Sequence, residues 1–79
     1  MNTISCISET ICVEVFKTNV NDVVLALQLV EKINASFDLL SVNFDLEDCD
    51  RILRVEGSDI EVEAIIGLLA DEGFECVAL

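Results

Sequence analysis

The stretch Phe16-Lys17-Thr18-Asn19-Val20-Asn21-Asp22-Val23-Val24-Leu25-Ala26 runs from the end of a strand, through a short polar turn, into the first turn of an amphipathic helix. Small proteins often mount ligands at such a turn, because the first amides of a helix have no partner within it and point outward. Here the place holds Asn, Asp and aliphatic residues, with no Cys, His or Gly. Asn21 is the expected N-cap, its side-chain oxygen taking a free helix amide. Asp22 then falls in the first turn, where the helix dipole favours negative charge. Val20 and Leu25 stand at the two positions of a hydrophobic staple.

Upstream, Thr10 to Lys17 reads as a strand in which Ile11, Val13 and Val15 alternate with Cys12, Glu14 and Phe16. Both faces carry apolar groups, as in a central strand. The pattern leaves the inward set open, because the bulkiest residue, Phe16, lies on the sparser face. Downstream, the helix is expected to run to Ile33 or Ser36. Ala26, Leu29, Val30, Ile33 and Phe37 form its core stripe, Val24 falls on the polar side and Leu27 at the edge of the stripe. Leu40 to Leu46 and Arg51 to Glu56 read as two strands of a hairpin around Glu47-Asp48-Cys49-Asp50, with Leu53 and Val55 facing the core. The acidic turn lacks the ligand ladder and central Gly of an EF-hand loop and reads as a solvated turn. Ser58 and Glu61 have capping-box spacing ahead of a second helix with the stripe Val62, Ile65, Ile66 and Leu69. Gly73 stands where that helix needs a left-handed residue to stop, with Phe74 folding back on Leu69. Glu75 to Leu79 is the last strand.

The order strand, helix, strand, strand, helix, strand gives the α+β, ferredoxin-like βαββαβ sandwich: a four-stranded antiparallel sheet with both helices on one face. Residues 10–79 are expected to form this domain, and residues 1–9 to extend the first strand or to be a flexible tail.

Bulk composition narrows the function. The chain has 79 residues, enough for one small core, and a formal net charge of −12 from 16 acidic and four basic residues. Such a balance repels the phosphates of nucleic acid and the surface of anionic membranes. Every apolar run is short and broken by charge, so no transmembrane helix is expected. Residues 1–9 have neither a basic start nor a long apolar run, so no secretory signal is expected and the chain reads as cytoplasmic. Cys6, Cys12, Cys49 and Cys76 form no Cys-x-x-Cys pair and read as small buried thiols rather than as a disulfide framework. With no His, and no nucleophile beside a candidate base, nothing points to an enzyme.

Asp45-Leu46-Glu47-Asp48, then Asp50-Arg51-Ile52-Leu53-Arg54-Val55-Glu56-Gly57, and finally Glu72-Gly73-Phe74 resemble the heavy-metal-associated domain of small copper chaperones and heavy-metal-transporting ATPases. Lys17-Thr18-Asn19-Val20 resembles the run into that family's metal loop, and the likeness covers residues 10–79. The resemblance implies a Cys-x-x-Cys that grips Cu(I), Zn(II) or a similar soft ion between strand one and helix one. At the matching positions this chain has Asp22 and Leu25, so the family's ligands do not carry over and no cofactor is expected.

Three readings follow. In the first, the domain is a metal-free interaction module. Val23, Val24, Leu25 and Leu27 are then a contact patch for a protein partner or a second copy, and the open sheet face, with Phe16 or Ile52, is another dimer surface. In the second, other thiols bind Cu or Zn, between two chains if need be. The third, a small-molecule sensor, lacks the Gly-rich turn such a site would use.

Overall fold

The computed structural model describes residues 11–79. The segment 1–9, with Cys6, lies outside the described residues, as does Thr10. The elements are β1 (Cys12–Thr18), α1 (Val23–Ser36), β2 (Ser41–Asp45), β3 (Ile52–Gly57), α2 (Val62–Asp71) and β4 (Cys76–Ala78). The four strands form one antiparallel sheet in the order β2-β3-β1-β4. This is the ferredoxin-like βαββαβ arrangement that the sequence pattern predicts.

The register decides which face of β1 is inside. Phe16 lies opposite Leu53, and Leu53 opposite Phe44; Glu14 lies opposite Val55, and Val55 opposite Val42. Phe16, Leu53 and Val55 are fully buried with Val20, Ala26, Leu29, Ile33, Ile65 and Leu69 from the loop and the two helices. Phe16 is therefore the keystone of the core and not part of an open sheet face, which corrects that expectation. Its ring is the largest side chain of the strand and fills the space beneath the helices. Ile11, Val13 and Val15 take the other face, together with the half-buried Ile52.

The helix ends differ from expectation in two places. Asp22, not Asn21, is the N-cap of α1: its backbone is extended, and its Oδ1 accepts the N–H of Val24 at 2.8 Å and of Leu25 at 3.3 Å. With the cap one residue later, the staple positions move to Asn21 and Ala26, so Val20 is buried for its own sake and Leu25 stays exposed. The Ser58–Glu61 capping box does not form. Gly57 to Ile60 are spent turning the chain away from β3, and α2 starts at Val62 with Glu61 as an N-cap that makes no side-chain bond. Gly57 packs so closely on Leu39 that an added Cβ would stand 3.0 Å from that side chain. At the other end of α2 the expected stop is present. Gly73 has φ +90, its N–H donates to the carbonyl of Ala70, and the Phe74 N–H donates to Leu69.

Candidate functional site

The end of β1, the turn into α1 and the β2–β3 turn meet at one end of the sheet. Thr18 is the joint. Its hydroxyl, buried in a mostly apolar setting, donates to the Arg51 carbonyl at 2.6 Å and accepts the Val20 N–H at 3.2 Å, while its own N–H donates to Asp50 at 3.1 Å. Asn19 accepts the Glu75 N–H at 2.9 Å and ties the same turn to the start of β4. A Thr18→Val variant keeps the volume but leaves a buried carbonyl and a buried amide without their partner. We expect it to lose about 1–3 kcal/mol in urea unfolding, against a few tenths for Ser at the same position.

This well-braced turn holds no soft ligand. Asp22 offers a hard carboxylate oxygen already engaged with two helix amides, and Leu25 is an aliphatic 38% exposed. A soft cation selects thiolate or thioether, so the residues at these two positions do not fit the ion that the resemblance implies. Cys49 and Cys76 lie at the same end. Cys49 is exposed in the β2–β3 turn, correcting the expectation that it is buried; Cys12, at the opposite end of β1, is exposed as well. The potential ligand atoms of Asp48, Cys49 and Asp50 lie within 4.8 Å of one another. Both carboxylates already have internal roles: Asp48 Oδ1 accepts the Asp50 N–H at 2.8 Å, and Asp50 stands 3.7 Å from Lys17 Nζ. Cys76 is opposite Thr18 on β4 and buried, and burial pushes its thiol up to about 11, so it stays protonated at neutral pH.

The four aliphatics at the start of α1 are all exposed: Val23 at 65%, Val24 at 62% and Leu27 at 61%, besides Leu25. The structure divides three of them between two surfaces. Val23 and Leu27 wall a groove of about 510 Å³ between α1 and β2, whose other sides are Val30, Val42, Phe44 and Leu46. Leu25 instead borders a smaller hollow with Lys32, Glu72 and Phe74, and Val24 borders neither. The sequence reading names Val23 and Leu27 but misses the β2 side of the groove. No described helix is long and apolar enough to cross a membrane.

Two solved structures share this architecture. Oxidized MerP from Ralstonia metallidurans CH34 superposes with a TM-score of 0.71 at 12% identity, over 87% of this chain and 97% of its own. The apo HMA domain of the copper chaperone for superoxide dismutase gives 0.65 at 19% identity, over 90% of this chain and 69% of its own. No family model and no curated protein matches the chain. The likeness suggested by the hairpin and by Glu72-Gly73-Phe74 thus holds at the level of architecture: the chain has the fold of the heavy-metal-associated domains.

Proposed function

We propose that the protein is a non-catalytic, cytoplasmic interaction module that keeps the fold of a metal-binding domain and has given up its ligands. The observation that carries this reading is Asp22. At the position where the resemblance calls for a first thiolate, its carboxylate turns back to cap α1. Around it, Val23, Val24, Leu25 and Leu27 stay exposed on one and a half turns of helix. Apolar exposure beside a groove, as at Val23 and Leu27, marks contact surfaces. Metal uptake through Cys49 and its acidic neighbours is the competing reading, favoured only by their proximity.

Titration with Cu(I) or Zn(II) under reducing conditions separates the two. We expect the protein to bind neither ion more tightly than a variant with all four Cys replaced by Ser. Tight, stoichiometric uptake by the native chain would sink the module reading.

A further inference from the structure

We infer that the groove between α1 and β2 takes up an extended segment of another protein, apolar and basic at alternate positions, as a fifth strand beside β2. The inference rests on the module reading and gives that module a partner chemistry.

Three observations converge on it. First, β2 is a terminal strand of the sheet. The Leu79 N–H donates to Val15, so Val15 and Lys17 bond toward β4, and Glu14 and Phe16 toward β3. Carried across β3, the alternation of antiparallel pairing turns the N–H and C=O groups of Val42 and Phe44 off the free edge. Second, the edge is lightly defended. Ser41-Val42-Asn43-Phe44-Asp45 contains no Lys and no Pro, and Asp45 is its one charged residue. Directly above it lies the apolar groove, so every second side chain of an added strand would face Val23, Leu27 and Val30. Third, the charge at the groove is one-sided. Asp45 and Glu47 stand beside it at the end of β2. All four basic residues of the chain are committed elsewhere: Lys17 to Asp50, Lys32 to Glu72, Arg54 to Glu56, and Arg51 to the carbonyls of Leu46 and Asp48. The side chains of an added strand that do not enter the groove would lie beside Asn43 and Asp45 on the open face. Cations suit that row. A second copy of this chain, itself at net charge −12, does not. Strand addition of this kind draws affinity from backbone bonds and selectivity from alternate side chains.

The probe is a capped nine-residue peptide of alternating Lys and Val, with two controls: the same peptide with Glu for Lys, and one N-methylated at alternate residues to remove its donors. Binding is followed by amide-resolved NMR and hydrogen exchange. We expect the Lys–Val peptide to slow exchange of the Val42 and Phe44 amides by about tenfold or more at saturation. Leu27→Glu, at a solvent-exposed position, should weaken binding by about tenfold or more. Both control peptides should bind at least as poorly, and added salt should weaken the complex. Absence of binding at millimolar peptide, equal binding by the N-methylated peptide, or protection of the same amides in the free protein through self-association would overturn strand addition. Binding that shifts Val24 and Leu25 while leaving the Val42 and Phe44 amides unprotected would also overturn it, yet would leave the module reading standing.

Discussion

Replacing Phe16 by Ala is expected to remove about 3–5 kcal/mol of stability, a large share of what the domain has. Phe16 has no solvent exposure and packs on Leu53 within the core that both helices share. Truncating a buried Phe to Ala costs about 3–5 kcal/mol, from lost transfer free energy and the cavity left behind. A domain of this size has roughly 4–12 kcal/mol in total, taking 0.05–0.15 kcal/mol per residue. Val13→Ala, three residues earlier on the opposite face of β1, removes a side chain already 44% exposed and should cost under about 1 kcal/mol. Urea unfolding followed by circular dichroism measures both. Equal losses for the two variants would mean that the inward face of β1 has been assigned wrongly.

That pair of variants also marks where the sequence stops being readable. The stripes Ala26–Leu29–Ile33 and Ile65–Leu69 announce their buried faces, because a helix of period 3.6 separates them cleanly from the charged positions. Leu53 and Val55 do the same, flanked by Arg54 and Glu56. In β1 the alternation is real but undirected: three aliphatics oppose one Phe, and only the register against β3 decides between them. The helix caps fail for a related reason. Asn21 and Asp22 are both good N-caps, and the choice depends on the backbone angle at which the turn delivers the chain. Ser58 and Glu61 have the spacing of a capping box, but the chain has yet to clear β3 when it reaches them.

The candidate site divides in the same way. The lack of thiols at positions 22 and 25 is a matter of residue identity and is visible in the sequence. The groove is not, because its walls come from segments about twenty residues apart and its free edge exists only through the strand order. One signal was available: a βαββαβ chain places its second strand at the sheet edge, and the second strand here carries neither Lys nor Pro to guard it.

Two thiols placed at positions 22 and 25 should give the turn an affinity for a soft ion. Asp22→Cys together with Leu25→Cys puts two thiols at the N-cap and three residues beyond it. Asp22 Oδ1 already reaches the Leu25 amide at 3.3 Å, so a short side chain at position 22 lies over the backbone of position 25. Thiols at a helix N-terminus ionise more readily, because the dipole favours the thiolate. Loss of the Asp22 cap should cost the metal-free variant about 0.5–2 kcal/mol. Binding of the ion should more than offset this, since a ligand held only by the folded state stabilises that state. We expect the double variant, made with Cys6, Cys12 and Cys49 replaced by Ser, to bind one Cu(I) per chain. Its affinity should exceed that of the matching background without the two new thiols by at least about a thousandfold, or ~4 kcal/mol. Competition with a chromophoric Cu(I) chelator, read alongside the thermal midpoint, measures both effects. If the double variant binds no better than Asp22→Cys alone, the turn braced by Thr18 and Asn19 is not shaped to hold an ion. Substitution at positions 22 and 25 would then be too little to make this turn a metal site. If it does bind, the scaffold is still competent, and the native Asp22 and Leu25 are what keep a soft ion out of a turn otherwise built to hold one.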